Sequence, residues 1–207
     1  MFRTFDQRSH TQERLDKGEY TAEEYALWQK EMKLINRWLG DTRALRLSLV
    51  RKAASGQGDL SILDVGAGSG ELLLSAKAMM GSGGRLFVGA ELNTEAAASI
   101  ARRPGLTAVQ CNALKLPFAD NSFDVVISSL FLHHLDDGSA VTLITEMARV
   151  ARRKFFVIDL HRHAAAYHLY KSFGPLFLQP FTVEDGSLSI LRSFRPRELY
   201  DLALRAG

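Results

Sequence analysis

The chain has 207 residues, of which 46% are hydrophobic and 24% charged, a composition typical of one ordinary folded domain. Its 26 Lys and Arg against 23 Asp and Glu give a net charge of +3, too small an excess to indicate a strongly basic nucleic-acid binder. With Cys111 as its one cysteine, no internal disulfide can form. The polar first ten residues and the absence of an apolar run of about 20 residues predict neither a secretory signal nor a membrane span, so we expect a cytoplasmic protein.

Residues 1–56 are predicted to form an N-terminal helical cap. The first 20 residues are polar and are expected to be loose. Thr21 and Glu24 then form a capping-box pattern, and apolar residues recur at helical spacing until the stop at Gly40. A second predicted helix completes this cap.

From residue 57 to 207, short apolar runs alternate with helical stretches. The predicted strands are 62–65, 85–90, 106–110, 123–128 and 155–160. The predicted helices are 71–80, 94–102, 138–151 and 196–206. Strands that are apolar throughout are typical of sheets buried on both faces, and the alternation implies right-handed crossovers. We therefore predict an α/β, Rossmann-like fold with a parallel sheet in the order 3-2-1-4-5.

The strongest motif is the stretch at residues 64–71, which reads DVGAGSGE. Asp64 ends a predicted strand, and three alternating glycines, Gly66, Gly68 and Gly70, lead into a helix. Such glycines permit a tight turn and a close approach of the backbone to a ligand. A dinucleotide loop has the different spacing G-x-G-x-x-G, and Glu71 at the helix start would repel a pyrophosphate. A dinucleotide oxidoreductase is therefore the weaker alternative.

Further polar and apolar residues follow the next predicted strands. Glu91 comes about 20 residues after the loop, where an acid can bind both ribose hydroxyls. Asp64 can lie near an ammonium group, and Asn112 offers a donor and an acceptor for an adenine edge. Leu92 and Leu114 could hold the adenine ring between them. These features suit S-adenosylmethionine, which carries an ammonium and a sulfonium but no phosphate.

Together these motifs resemble the class I methyltransferases, and within them the ubiquinone/menaquinone-biosynthesis type, over about residues 60–160. The resemblance adds Ala113 to the adenine-side motif and Ser129 to the cofactor contacts. The cofactor-binding residues that it implies are Asp64, Gly66, Gly68, Gly70, Glu91, Leu92, Asn112, Ala113, Leu114 and Ser129. The combination is specific for S-adenosyl-L-methionine and says little about the methyl acceptor.

Other stretches depart from the quinone enzymes. Residues 131–135 (FLHHL) look like the broader methyltransferase superfamily, and residues 151–154 replace a Lys-Pro-Gly-Gly turn. Residues 36–40, 159–162 and 185–186 are similar to a bacterial subgroup that accompanies type III polyketide synthases. This likeness suggests a phenolic, quinone or polyketide-derived acceptor, methylated on oxygen or carbon.

Catalysis requires alignment of the acceptor with the methyl carbon and, for a phenol or an activated carbon, a base. Ligands of open α/β sheets bind beyond the carboxyl ends of the strands. The predicted catalytic residues are therefore His133, His134, Asp159 and His161, which all follow the fourth or fifth strand. His161 and His163 lack a carboxylate partner in the sequence, so no metal site is predicted.

Residues 164–194 are rich in aromatic side chains and are interpreted as a lid insertion that roofs an acceptor pocket together with the cap. Within them, Asp185-Gly186 predicts a turn between two extended runs. A small-molecule methyltransferase is the leading hypothesis. An RNA or protein methyltransferase and a catalytically inactive S-adenosylmethionine-binding protein are the alternatives, although no nucleic-acid partner is expected.

The C-terminus departs from the family, which ends with a helix and an antiparallel strand pair. Residues 196–206 predict the helix, and no residues remain for the pair. The fifth strand, 155–160, would then lie at a sheet edge, where residues 155–158 would expose unpaired backbone groups. We expect one of three outcomes: the chain is a fragment, it forms a homodimer through this strand, or residues 176–194 cover the edge.

Overall fold

The computed structural model describes residues 5–39, 45, 60–80 and 84–207. In these residues five strands form one parallel sheet in the order β3-β2-β1-β4-β5, which confirms the predicted topology. The strands are β1 (Leu60–Val65), β2 (Gly84–Glu91), β3 (Thr107–Gln110), β4 (Phe123–Ser129) and β5 (Ala151–Ile158). All five carboxyl ends therefore meet at one edge of the sheet.

Eight α-helices are found in the described residues. They are α1 (Arg14–Lys17), α2 (Ala22–Leu39), α3 (Glu71–Met80), α4 (Thr94–Ala101), α5 (Asp137–Val150), α6 (Ala164–Phe173), α7 (Pro180–Arg192) and α8 (Pro196–Ala206). The capping box before α2 is confirmed, since Thr21 N donates to Glu24 Oε2 at 2.8 Å and Glu24 N donates to Thr21 Oγ1 at 3.2 Å. The second predicted cap helix lies outside the described residues apart from Leu45. None of the described helices is both long and apolar enough to cross a membrane.

The core lies on both faces of the sheet, because successive residues of a strand point to opposite sides. In β4, Val126 joins the cluster with α5 and α8, whereas Val125 and Ile127 join the cluster with α3 and α4. All three are at most 2% exposed. Each such side chain stabilises the fold by about 1.5–3 kcal/mol on burial, so the centre of β4, residues 125–127, is continuously apolar and not alternating.

The prediction that residues 1–20 are loose is wrong for the described part of this segment. Glu13 is 3% exposed, and Ser9 N donates to the carbonyl of Leu191 at 3.0 Å. Arg8 donates to Asp137 Oδ1 at 2.7 Å and to the carbonyl of Leu135 at 2.9 Å. Although many of its residues are exposed, several of its charged side chains pair with distant parts of the fold, which holds the segment in place.

The predicted turn at Asp185-Gly186 is also wrong, because both residues lie inside α7. The Asp185 carboxylate accepts hydrogen bonds from the backbone N–H groups of Arg14 and Leu15, each at 2.9 Å, and so caps the start of α1. A Cβ at Gly186 would lie 2.6 Å from Tyr170 Cζ. The acid and the glycine serve tertiary contacts, which outweigh their local preference for a turn.

Strand β5 begins at Ala151, so residues 152–154 belong to the sheet and not to the end of α5 or a turn. In the described residues β5 pairs only with β4 and forms a sheet edge. Arg152, Arg153 and Lys154 are exposed there, and such charges discourage pairing with another strand. Helix α7, which holds most of residues 176–194, packs mainly against α6, α2 and α1. Dimerisation and truncation stay predictions.

Asp124 connects the amino ends of three strands, β1, β4 and β5. Its Oδ2 accepts from Ser61 N at 3.0 Å and Ser61 Oγ at 2.9 Å, and Oδ1 lies 3.2 Å from Arg152 and 3.0 Å from Arg153. Burial opposes ionisation, but the Ser61 hydrogen bonds and both arginines outweigh it and lower the pKa of Asp124.

Replacing this residue, Asp124→Asn, should lower the free energy of unfolding in urea by about 1.5–3 kcal/mol near neutral pH, the usual size of charged hydrogen bonds. Since the folded-state pKa is depressed, the stabilisation is complete above the ordinary Asp pKa of about 3.9 and is lost as the pH falls through the lower folded value. The difference between wild type and variant should therefore shrink in acid. The control is Asp120→Asn, an exposed ion-pair partner of Arg149. Equal losses in both variants would contradict this assignment.

Candidate active site

The glycine loop joins β1 to α3 and is held against the end of β2. Gly66 N and Ala67 N both donate to the carbonyl of Ala90, at 2.9 and 3.2 Å. Gly66 has φ +72° and Gly68 has φ +53°, which L side chains rarely adopt. A Cβ on Gly66 would lie 2.7 Å from the ring of Phe131, whereas a Cβ on Gly68 would meet nothing within 4 Å. Gly66 is thus required for packing, and Gly68 leaves an open cradle.

Glu91, at the end of β2, holds this loop through its carboxylate. Its Oε2 accepts from Gly68 N at 2.9 Å, and its Oε1 accepts from Asn93 N at 3.0 Å. Each carboxylate oxygen has a further lone pair, so both can still accept from ligand hydroxyls. Leu92 beside it is 67% exposed and offers an apolar surface next to the acid.

The loop after β3 is ordered by its own asparagine. Asn112 Oδ1 accepts from Leu114 N at 2.9 Å, while Cys111 N donates to the carbonyl of Glu91 at 3.1 Å. Asn112 is exposed, and Ala113 and Leu114 are partly buried. The structure therefore brings this loop beside the end of β2. The turn hydrogen bond uses Oδ1 of Asn112 and not its side-chain amide nitrogen.

Asp64 and Ser129 occupy the carboxyl ends of the adjacent strands β1 and β4. Asp64 is 2% exposed. Ser129 Oγ is buried and has no hydrogen-bond partner among the described residues. A buried polar atom without a partner costs about 1–3 kcal/mol, so this hydroxyl fits a site that a polar ligand completes.

His133 and Asp159 are brought together from the ends of β4 and β5. Leu130, with φ +53°, reverses the chain after β4 and donates its N–H to the carbonyl of Ile158 at 2.8 Å. The Nδ1 atom of His133 then lies 2.6 Å from Asp159 Oδ1, and its backbone N–H donates to Asp159 Oδ2 at 2.9 Å. Both side chains are at most 4% exposed. Asp159 thus fixes the orientation of the imidazole.

Glu13 faces the other ring nitrogen of His133 and is a site residue that the sequence analysis missed. Its Oε1 lies 4.0 Å from His133 Nε2 and accepts from Ser189 Oγ at 2.9 Å. Burial raises the pKa of Glu13, against opposing effects of His134, Ser189 and Arg192. No local sequence signal reveals this residue, since the hydrogen-bond and ion-pair partners of its side chain lie more than 100 positions away.

His134 belongs to a neighbouring ion network. Its Nδ1 lies 3.1 Å from Asp16 Oδ1, and Arg192 Nη1 lies 2.6 Å from Asp16 Oδ2. Burial disfavours the charged form of Asp16, but His134 and Arg192 outweigh it and lower the pKa of the carboxyl. The His134 side chain is 24% exposed.

His161 is separated from this network. It is exposed, and its ring centroid lies 5.6 Å from that of His163. The residue between them, Arg162, is 1% exposed and donates to the carbonyls of Phe5 and Ser193. The catalytic role of His161 stays a prediction.

An apolar groove of about 580 Å³ runs between α6 and α7. Tyr167 and Lys171 line it from α6, and Val183, Leu188 and Leu191 line it from α7. The carboxyl end of α7 reaches the 132–134 turn, because Arg192 Nη2 donates to the carbonyl of His134 at 2.9 Å. The volume lies within the range of small-molecule sites.

A five-stranded parallel sheet in this order, with a positive-φ glycine loop and an acid at the end of β2, is typical of the class I S-adenosylmethionine-dependent methyltransferases. The family model described as "Methyltransferase domain" matches residues 62–154. The plantazolicin methyltransferase BpumL, solved with SAH, shares this fold with a TM-score of 0.65 at 14% identity, over 87% of this chain and 66% of that one.

Curated relatives narrow the class. The ubiquinone/menaquinone biosynthesis C-methyltransferase UbiE of Stenotrophomonas maltophilia is 30% identical over 77% of this chain and 69% of its own length. The UbiE of Xanthomonas campestris is 35% identical over 55% of this chain, and the match spans about half, 46%, of that relative. The chain belongs to the UbiE-like family of S-adenosylmethionine-dependent methyltransferases, which confirms the predicted family and cofactor.

The two glycines of the loop make a matched pair for a stability test. Alanine at either position costs roughly 1–2 kcal/mol for the left-handed backbone. Gly66→Ala should cost more than Gly68→Ala, because only the former overlaps Phe131. Urea unfolding measures both values. The double change Gly66→Ala with Phe131→Leu should recover part of the loss, and equal stability of the two single variants would refute the packing role.

Proposed function

We propose that this chain transfers the methyl group of S-adenosylmethionine to an oxygen or carbon atom of a small apolar acceptor, phenolic, quinone-like or polyketide-derived. The main support for the proposal is that polar cofactor-type groups and an apolar groove lie at different parts of the structure around the carboxyl edge of the sheet. The ends of β1 and β2 present the open glycine cradle and Glu91, while an apolar groove lies beside the elements that follow β4 and β5.

The cofactor would be held by residues that the structure already orders. The free lone pairs of Glu91 suit the ribose hydroxyls, and the Gly68 cradle admits a ligand where any side chain would intrude. The Ser129 hydroxyl would gain its missing partner. Asn112, Leu92 and their neighbours would surround the adenine. When bound, the cofactor supplies an electrophilic methyl group together with its own leaving group.

The acceptor side combines the lid and the cap. The groove between α6 and α7 offers mainly apolar walls, which exclude water and favour a ring or an alkyl chain over a charged substrate. Helix α2 buttresses α7, since Glu31 accepts hydrogen bonds from Gln179 N, at 2.9 Å, and from the Thr182 hydroxyl. The names of the relatives, which specify quinone C-methylation, favour an acceptor of this kind.

The catalytic residues would mainly orient the acceptor and take its proton. Nδ1 of His133 is occupied by Asp159, and its Nε2 faces Glu13, so this buried ring is better placed to hold the 132–134 turn than to act as a base. Among the predicted catalytic histidines, His134 and His161 are more accessible than His133. A base with a pKa near neutrality suits the deprotonation of a phenol or an activated carbon.

The position of the basic residues disfavours a nucleic-acid substrate. Arg152, Arg153 and Lys154 lie at the amino end of β5. The carboxyl end of β5, at Ile158, is roughly 13–20 Å away, at about 3.3 Å per residue of strand. Arg152 and Arg153 are also engaged with Asp124. The strongest cationic cluster of the described residues is therefore on the side of the sheet away from the cofactor.

Cofactor recognition is tested by Glu91→Gln. The variant should bind S-adenosylmethionine about 10–150-fold more weakly in calorimetry, corresponding to the roughly 1.5–3 kcal/mol of a charged hydrogen bond. Glu95→Gln, four residues away in the first turn of α4, is the matched control and should bind normally. Unchanged affinity of Glu91→Gln would rule out the ribose role.

The acceptor is tested by transfer of labelled methyl groups to phenols, quinols and polyketide-like aromatics, with RNA and protein as competing substrates. Turnover should be confined to the apolar aromatics. Leu188→Gln in the groove should raise KM for the acceptor without changing cofactor affinity, whereas Leu169→Gln on the exposed part of α6 should change neither. Methylation of RNA or protein alone would overturn the acceptor class, and cofactor binding without any turnover would favour a binding protein.

A further inference from the structure

Glu13, His133 and His134 form the one group of potential metal ligands found among the described residues. One ring nitrogen of each histidine and one carboxylate oxygen of Glu13 lie within 4.8 Å of one another. The three residues come from two distant segments, the start of α1 and the turn after β4. Glu13 and His133 are each 3% exposed. Two imidazoles and a carboxylate are a ligand set that zinc and similar transition metals bind.

Carboxylates behind the histidines support this reading. The Nδ1 atom of His133 lies 2.6 Å from Asp159, and that of His134 lies 3.1 Å from Asp16. Metal-binding histidines almost always donate their second ring nitrogen to such a group, which fixes the ring and raises the basicity of the other nitrogen. Here both adjacent histidines have this arrangement, which leaves Nε2 of each as the nitrogen not bound to a carboxylate.

The charge balance points the same way. Glu13, Asp16 and Asp159 surround the cluster with three carboxylates, and Arg192 contributes one guanidinium, 3.6 Å from Glu13 Oε1 and 2.6 Å from Asp16 Oδ2. Leaving the two histidines out of the count, these four groups carry a formal charge of −2, from three carboxylates at −3 and one guanidinium at +1. A dication would neutralise them, and burial of unbalanced charge is otherwise costly. Arg192 can stay paired with Asp16 behind the site.

We propose that Glu13, His133 and His134 bind a zinc-class divalent cation, which clamps the N-terminal segment onto the carboxyl edge of the sheet. Tetrahedral ligands about 2.0–2.1 Å from a metal lie roughly 3.3 Å apart. The 4.0 Å between Glu13 Oε1 and His133 Nε2 would therefore contract by roughly 0.7 Å, and any other pair of the three ligand atoms, which lie within 4.8 Å of one another, by at most roughly 1.5 Å. The partly exposed side of His134 leaves room for water as a fourth ligand. Among the three histidines predicted to be catalytic, a metal held there leaves His161 available as a base.

The test measures metal binding and not turnover, so its result is separate from that of the proposed function. Chelator-treated full-length protein is titrated with Co²⁺, whose visible absorption reports nitrogen and oxygen coordination, and the Co²⁺ is then displaced with Zn²⁺. We expect one saturable equivalent and a higher Tm with Zn²⁺. Glu13→Gln and His134→Asn should each weaken binding at least 100-fold, and Asp16→Asn should weaken it 10–100-fold through the loss of the positioning carboxylate.

The matched control is the double variant His161→Asn and His163→Asn, which removes an exposed histidine pair that has no carboxylate in the cluster. It should bind Co²⁺ as tightly as the wild type. His134 is partly exposed, so its variant tests the same site if Glu13→Gln does not fold. No saturable Co²⁺ binding by the wild type, or binding lost in the control and kept in both ligand variants, would overturn the proposal.

Discussion

The shared carboxyl edge of the parallel sheet is the constraint on which the rest of this structure depends. Because β4 and β1 are buried on both faces, their residues have no freedom to carry chemistry within the strands, and polar groups can appear only where the strands end. Asp64, Glu91 and Ser129 occupy those ends, and Asp159 follows β5 by one residue. Parallel pairing then places them side by side, which no local segment could do alone.

Two glycines allow the loop after β1 to pack closely against its neighbours at this edge of the sheet. Gly66 lies against Phe131, and a Cβ at Gly89 would lie 2.8 Å from Ile100 and 3.1 Å from Ala67. These contacts lock the loop between β2 and the turn after β4, while Gly68 remains open towards the cofactor side. The same turn that covers Gly66 also orients His133 towards Asp159. Residues 130–134 thus contact both the glycine loop and the end of β5.

Residues 5–18 show how a strongly polar segment can be an integral part of a fold. Arg8, Glu13 and Asp16 contact α7 and the turn after β4 with their charged groups, and Asp185 returns the contact by capping α1. These contacts place the carboxylate of Glu13 near Nε2 of His133. The environment of this imidazole therefore depends on a segment more than 100 residues away. The N-terminal segment and α7 therefore jointly surround the turn after β4.

Local sequence patterns predicted the structure correctly where it is determined by interactions between residues close together in the sequence. The periodicities of β1 to β4 and of α3, the Thr21–Glu24 capping box and the glycine loop all express backbone preferences and burial, so the fold, the family and the cofactor could be predicted. The turn prediction at Asp185-Gly186 was wrong because Asp185 accepts hydrogen bonds from Arg14 and Leu15 and Gly186 packs against Tyr170. Strand β5 starts at Ala151 and not at the predicted 155, and its added residues Arg152 and Arg153 pair with the distant Asp124.

By itself the sequence determined the strand order, the glycine cradle and the residues at the strand ends, since these follow from periodicity, glycine conformation and parallel pairing. Only the tertiary structure decided which side chains meet across the edge. In the structure His133 contacts Asp159, Glu13 lies near His133, and Asp16 lies near His134. His161 lies at the surface. Such contacts depend on electrostatic pairing between segments whose separation in sequence carries no information about their distance in space.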